Sequence, residues 1–120
     1  MSCKVKGVYP TRHGERMLID CKKGTVIADL VPEKCEIKWI EAAPTGKLLG
    51  TIALPLVEQY LASKGCKKVW ASPKDERSER FWSRQEYEWD KMPPQGWRFM
   101  SKTVHKRPTR LILRKPKSQS

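Results

Sequence analysis

Residues 35–72 read CEIKWIEAAPTGKLLGTIALPLVEQYLASKGCKKVWAS, and this stretch decides the fold. The residues over 35–42 predict a strand. Apolar residues then recur at steps of three and four over 48–63, which predicts an amphipathic helix that Lys64-Gly65 ends. A further strand is predicted over 67–72. A strand, a helix and a strand in this succession indicate a right-handed parallel crossover.

Two details of this crossover concern its register and its helix. Simple alternation places Cys35, Ile37, Trp39 and Glu41 on one face of the first strand, with the residues between them on the other. Pro55 conflicts with the helix, because a proline there removes a backbone hydrogen bond. Either the helix kinks at Pro55, or it begins there and 48–54 is less regular.

The remaining elements lie on both sides of the crossover. Residues 1–16 are predicted to be a basic, irregular N-terminus. The other predicted elements are strands over 17–21, 25–31, 87–89 and 97–104, and a helix over 74–85 anchored by Phe81 and Trp82. The sequence therefore predicts one α/β (α+β) domain over 1–105, with a mixed, mostly antiparallel sheet around a central parallel β-α-β crossover.

The charge of the chain favours an anionic partner. The 120 residues carry 25 Lys and Arg against 13 Asp and Glu, which gives a formal net charge of +12. Residues 106–120 form a basic tail without an acidic residue, for which the sequence leaves open a disordered run or a short edge strand at 111–113. A nucleic acid, an acidic protein or a phosphorylated cofactor would each satisfy this charge.

The four cysteines, Cys3, Cys21, Cys35 and Cys66, form no CxxC pair, and the two histidines complete no zinc pattern. We therefore expect free thiols in a reducing compartment and no metal site. The sequence contains no apolar run long enough to span a bilayer. These observations favour a cytoplasmic protein that does not engage a membrane.

The turn over 45–51 is the strongest candidate for chemistry. It lies between a strand and a helix, where backbone N–H groups are free and the helix dipole is positive. Gly46 and Gly50 allow the backbone to approach an anion, and Lys47 adds a positive charge. An ordinary strand–helix loop explains the same residues without a ligand, so composition alone does not decide.

The run over 36–51 resembles the acetyl-CoA-binding motif of the GNAT N-acetyltransferases, in which a strand is followed by R/Q-x-x-G-x-G/A and a helix. Residues 64–70 resemble the family's passage from helix to next strand. Residues 78–88, SERFWSRQEYE, resemble its xxFYxxxGFE segment, and 97–102 resemble its closing strand. The resemblance covers about 17–104. It implies a GNAT-like fold that lacks most of the N-terminal helical region.

The resemblance also implies a cofactor and a set of site residues. The cofactor is acetyl-CoA, and the main chain of the strand would pair with its pantetheine arm. The implied cofactor-binding residues are Trp39, Ile40, Glu41, Thr45, Gly46, Lys47, Leu48, Leu49, Gly50, Thr51, Phe81 and Trp82. Glu36 is the implied general base, as in histone-type members, and Glu41 is the second choice.

The sequence departs from the family at four positions. Thr45 stands at the Arg/Gln position of the motif, and Leu48 at its first glycine. Trp82 stands at the tyrosine that often acts as general acid, and Glu86 at the usual glycine before the aromatic residue.

These departures leave two functions open. The first is an acyl-CoA-dependent N-acyltransferase that acetylates an amine. The second is a non-catalytic domain of the same fold that binds nucleic acid or a partner protein through its basic surface. In either case, we expect Trp39, Trp70 and Trp82 to pack in the core.

Overall fold

The computed structural model describes residues 3–45, 48–93 and 98–105, and these form one seven-stranded sheet with two α-helices. The strands are β1 (Cys3–Pro10), β2 (Glu15–Cys21), β3 (Gly24–Val31), β4 (Glu36–Ala43), β5 (Lys68–Ala71), β6 (Glu88–Trp89) and β7 (Met100–Thr103). The helices are α1 (Leu49–Ser63) and α2 (Glu76–Arg84). The strand order is β1-β2-β3-β4-β5-β7-β6, and β4–β5 is the parallel pair among antiparallel ones. The predicted fold class is confirmed.

The N-terminal stretch forms a strand, so the prediction of irregular structure over 1–16 is wrong. β1 pairs antiparallel with β2, with a register shift between Val5 and Gly7. A short turn over 11–14 joins the two strands. No residue of β1 is fully buried, so this edge strand needs no apolar alternation and gave no strand signal in the sequence.

One face of the sheet carries the core, and α1 covers it. Met17 and Ile19 of β2 and Leu30 of β3 are almost fully buried against the helix. Full burial of such side chains contributes about 1.5–3 kcal/mol each. The helix residues buried against the sheet are Leu49, Ala53, Leu54, Val57, Leu61 and Ala62.

The helix α1 runs through Pro55, so of the two alternatives it is the continuous helix that forms. Because proline has no N–H, the carbonyl of Thr51 loses its partner within the helix. The helix ends as predicted: Lys64 is its C-cap, and Gly65 has φ of +102°, which favours glycine.

A buried polar cluster joins α1 to the far end of the sheet. Glu58 is only 9% exposed. Its carboxylate accepts a hydrogen bond from the Tyr87 hydroxyl at 2.8 Å and one from Lys102 Nζ at 3.3 Å. Burial and the adjacent carboxylate raise the pKa of Tyr87 well above its usual value. The phenol is therefore held as a hydrogen-bond donor.

All four cysteines are paired, so the prediction of four free thiols is wrong. Cys3–Cys21 joins two residues directly opposite each other on β1 and β2. Cys35–Cys66 joins the residue before β4 to the segment between α1 and β5. Sequence spacing did not reveal either pair, because each depends on strand pairing or on the crossover bringing distant residues together.

Candidate functional site

Strands β4 and β5 part soon after they meet. Their parallel ladder consists of Glu36 opposite Trp70 and Ile37 opposite Ala71. On its other edge, β4 pairs Trp39 with Asp29 and Ile37 with Leu30, so one extra residue, Lys38, is bulged between them. A bulge bends its strand and increases the local twist. The bend turns β4 away from β5, and a cleft of about 430 Å³ opens between the two strands.

The same bulge reverses which side chains face the core. Ile37 is buried, but after Lys38 it is Ile40 and Ala42 that pack against the core cluster. Trp39 lies on the opposite face and is 41% exposed. The prediction that Ile37 and Trp39 share a face is therefore wrong, as is the prediction that Trp39 packs in the core. Trp70 and Trp82 are buried as predicted.

The first turn of α1 closes one end of the cleft, and no side chain of the described residues caps its backbone N–H groups. The helix has no side-chain cap and no acidic residue in its first turn. The helix α2 differs, since Asp75 caps it by accepting a hydrogen bond from Ser78 N at 2.8 Å. Leu49, Gly50 and Thr51 therefore present the positive end of an uncapped helix to the cleft.

Positive side chains surround the cleft. Lys38, Lys74, Arg77 and Arg84 line it, together with one carboxylate, that of Asp75. The backbone and hydroxyl of Ser78 stabilise the charged form of Asp75 and lower its pKa. Sequence reasoning missed all four cations. Lys38 is 36 residues before Lys74 in the sequence, and the other three, over 74–84, were assigned to a polar helix, so the cluster became visible only once β4 and α2 were placed beside the cleft.

An aromatic wall from α2 forms the inner side of the cleft. The Phe81 and Trp82 rings meet edge to face at 5.0 Å, and Trp82 meets Tyr87 in the same way at 4.8 Å. Trp82 is only 5% exposed. An added Cβ at Gly50 would contact the Phe81 ring at 3.4 Å, so α1 and α2 are packed closely beside the cleft.

Two departures from the GNAT motif retain the backbone conformation of glycine. Leu48, the N-cap of α1, has φ of +58°, and Glu86 has φ of +72°. Left-handed backbone is strained for residues with a Cβ. Both positions, at which the GNAT motif has glycine, therefore have a backbone conformation that favours glycine.

A row of polar side chains crosses the opposite face of the sheet. Arg16, Asp29 and Trp39 are neighbours on β2, β3 and β4. Asp29 accepts hydrogen bonds from Arg16 Nε at 2.7 Å, from Arg16 Nη2 at 3.0 Å and from Trp39 Nε1 at 2.9 Å. The Arg16 guanidinium, helped by the indole N–H, lowers the pKa of Asp29. Sequence reasoning missed Arg16 and Asp29, whose link depends on the register of three strands.

The structure brings together most of the predicted cofactor-binding residues. The lining residues include Trp39, Ile40, Thr45, Leu48, Leu49, Gly50, Thr51, Phe81 and Trp82. Gly46 and Lys47 lie outside the described residues. Glu36 is partly buried at the start of β4 and Glu41 is exposed on the same strand. Neither glutamate is among the residues that line the cleft.

The crystal structure of Tetrahymena GCN5 is similar to this chain, with a TM-score of 0.58 and 15% sequence identity. The alignment covers 79% of this chain and 71% of that one. The fold is GNAT-like. No protein-family model and no curated protein matches the sequence. Within this GNAT-like fold, the turn over 11–14 directly connects the first two strands.

The described residues contain neither a membrane-spanning helix nor a cluster of metal-binding side chains. Over 3–45, 48–93 and 98–105, no helix is long and apolar enough to cross a membrane. Among the same residues, no group of three or more His, Cys, Asp or Glu side chains is arranged to hold a metal ion.

Proposed function

We propose that this domain binds acetyl-CoA in the cleft between β4 and β5 and transfers the acetyl group to an amine. One observation carries the proposal. The β4–β5 ladder stops after Ile37, so the main chain of β4 beyond the bulge faces an open cleft that ends at an uncapped helix.

The residues of the cleft fit this substrate. The free edge of β4 over 39–41 suits the amide groups of pantetheine, which would add as an extra strand. The first turn of α1 suits the pyrophosphate, because its N–H groups and dipole favour an anion. Lys74, Arg77 and Arg84 add the positive charge that the phosphates require. Acetyl-CoA itself supplies an acyl group activated as a thioester.

The chain must also remove a proton from the attacking amine. Asp75 suits this role poorly, because it caps α2 and its pKa is lowered. Asp29 is held by Arg16 and by the Trp39 indole. Glu36, on β4 but outside the lining of the cleft, is our candidate base because of the resemblance to histone-type acetyltransferases, with Glu41 second. Trp82 has no hydroxyl to protonate the leaving thiolate, so solvent fills that role.

Binding of acetyl-CoA is the direct test of the proposal. We expect calorimetric binding, and a gain of about 2.7 kcal/mol in stability at 100 times the dissociation constant. Arg77→Gln, in the cleft, should weaken binding at least about tenfold, the value of one charge-assisted hydrogen bond. The matched control is Arg80→Gln on the same helix, whose guanidinium pairs with Glu76. Absence of binding by the parent chain would refute the proposal.

The role of Glu36 as general base can be tested separately from acetyl-CoA binding. Glu36→Gln should lower acetyl transfer by roughly 10²–10⁴-fold and leave acetyl-CoA affinity unchanged, because a general base acts in the chemical step. Steady-state rates with a fixed amine acceptor, together with calorimetry, measure both quantities. Loss of rate in Glu41→Gln but not in Glu36→Gln would transfer the role to Glu41.

A second candidate function is binding of a nucleic acid without catalysis. The net charge of +12 and the loss of the tyrosine at Trp82 favour it. We expect the tail over 106–120, which lies outside the described residues, to contribute. On duplex DNA each neutralised phosphate contributes about −0.9 to the slope of log affinity against log salt. Truncation after His105 should flatten that slope in a salt titration, and equal slopes for both chains would exclude a role for the tail.

A further inference from the structure

A second pocket lies directly beside the cleft. It has a volume of about 410 Å³ and is lined by Thr11, Arg12, His13, Asp29, Leu30, Lys38, Trp39 and Lys74. Three of these residues, Lys38, Trp39 and Lys74, also line the β4–β5 cleft. The two spaces are therefore neighbours that share one wall, and a molecule in the pocket lies next to a molecule in the cleft.

Trp39 forms a fixed aromatic surface in this shared wall. Its indole N–H donates to Asp29 at 2.9 Å, and Lys74 Nζ lies 5.3 Å from the centre of its ring. One edge and one face of the indole are thereby held, while 41% of the residue remains exposed. An exposed aromatic ring with a fixed orientation suits stacking by a planar group.

The charge of the pocket is positive. Arg12, Lys38 and Lys74 contribute cations, and the single carboxylate, Asp29, already forms a two-point ion pair with Arg16. That pairing lowers the pKa of Asp29 and occupies both of its oxygens. A cationic ligand would meet repulsion here, while a carboxylate or phosphate would find donors.

The turn over 11–14 holds its two basic residues at the rim. Thr11 N donates to Gly14 O at 2.9 Å. A Cβ added at Gly14 would lie 2.0 Å from the Leu30 carbonyl oxygen. Only glycine allows this close approach, so Gly14 fixes the turn, and Arg12 and His13 with it, against β3.

We propose that this pocket, bounded by the 11–14 turn and Trp39, binds the acceptor, and that the acceptor is an amine with an aromatic ring and an anionic group. The inference rests on the proposed acetyl-CoA function, because the shared wall places the pocket beside that substrate. Arg12 and Lys38 bind the anion, and Trp39 stacks against the ring.

Tyramine, tyrosine and O-phosphotyrosine form a matched set of probes, since they share a ring and an amine and differ in anionic groups. Spermidine provides a cationic amine without a ring. Titrations monitored by the indole N–H signals of ¹⁵N-labelled protein report both affinity and place, with Trp39→Phe assigning the signal. We expect tyrosine or O-phosphotyrosine to shift the Trp39 signal and to bind at least about tenfold tighter than tyramine. Tighter binding of O-phosphotyrosine than of tyrosine would indicate a phosphate site, and equal or weaker binding would indicate a carboxylate site.

A charge variant tests the role of the turn. Arg12→Gln should weaken the anionic probes about tenfold and leave acetyl-CoA affinity unchanged, because Arg12 lines the pocket and not the cleft. Arg80→Gln again serves as control. Equal or tighter binding of tyramine or spermidine, binding that leaves the Trp39 signal in place, or no effect of Arg12→Gln would overturn the proposal.

Calorimetry with acetyl-CoA on the same samples tests the acyltransferase function separately from the acceptor proposal. A chain that binds acetyl-CoA but shows no preference for anionic amines refutes the acceptor proposal alone. A chain that binds the anionic probes at Trp39 but not acetyl-CoA refutes the acyltransferase function, and the acceptor assignment falls with it.

Discussion

At the scale of single residues, Leu48 and Glu86 place a side chain on a backbone conformation that favours glycine. Both side chains are exposed, and Leu48 is 71% exposed, so neither gains much from burial. Both residues nevertheless adopt the left-handed conformation. The strain belongs to the Cβ atom, since that is the atom that crowds the backbone at positive φ.

Removing that Cβ should stabilise the protein. Left-handed backbone costs about 1–2 kcal/mol for a residue with a Cβ, and glycine returns part of this gain through its flexibility when unfolded. We expect Leu48→Gly and Glu86→Gly each to add about 0.5–1 kcal/mol to the free energy of unfolding, measured by thermal and denaturant melts. Leu48→Ala and Glu86→Ala retain the Cβ and should give no gain. Equal melting temperatures for the alanine and glycine variants would show that no strain is stored.

At the scale of elements, two tyrosine hydroxyls connect α1 to its neighbours. The Tyr60 hydroxyl of α1 donates to Glu15 of β2 at 2.5 Å, and Tyr87, just after α2, donates to Glu58 of α1. Burial, with the hydrogen bond to Glu15, raises the pKa of Tyr60 to about 12, and burial raises that of Tyr87 further. Both phenols act as donors only while protonated.

These pKa shifts predict a loss of stability in alkali. In the unfolded chain both hydroxyls ionise near pH 10, whereas in the folded protein they stay protonated to higher pH. Their contribution is therefore complete below pH 10 and falls as the pH rises through the range from about 10 to 12. Denaturant melts over this range should show the decline, with a smaller slope in Tyr60→Phe. Tyr9→Phe, at an exposed position of β1, is the matched control, and an unchanged slope in Tyr60→Phe would contradict the assignment.

Hydrophobic periodicity and residue type predicted most elements of the fold. They gave no signal for an exposed edge strand or for the register between two paired strands. The helix α1 was predicted because apolar residues such as Leu49, Ala53, Val57 and Leu61 recur at steps of three and four, and β2 and β3 were predicted from short runs of apolar and β-branched residues. β1 was missed because an edge strand without buried residues has no such repeat. The bulge at Lys38 is also silent in the sequence, since it appears only as a mismatch between two paired strands. Because the bulge reverses the two faces of β4, the sequence-based prediction placed Trp39 on the wrong face.

At the scale of the whole molecule, the two disulfides fix the first strand and the crossover to the sheet. Cys3–Cys21 spans 18 residues and Cys35–Cys66 spans 31. In the chain-entropy account, closing loops of these lengths stabilises a fold by about 3–4 kcal/mol each.

Reduction should therefore lower the melting temperature markedly. We expect two separable losses, one in a Cys3→Ser/Cys21→Ser variant and one in a Cys35→Ser/Cys66→Ser variant, each of about 3–4 kcal/mol in denaturant melts. A thiol titration of the unfolded, unreduced parent should find no free thiol. Four titratable thiols and a melting temperature indifferent to reductant would show that the cysteines are unpaired in solution.

Because of the bulge at Lys38, the cleft depends more on the number of residues in β4 than on which residues they are. The bulge requires one extra residue in β4, and the first turn of α1 offers main-chain N–H groups from any residues other than proline. Substitutions along β4 that retain the bulge should therefore leave the opening in place. Insertion or deletion of one residue within β4 is different, because it moves or removes the bulge. Every residue beyond the change then lies on the other face of the sheet.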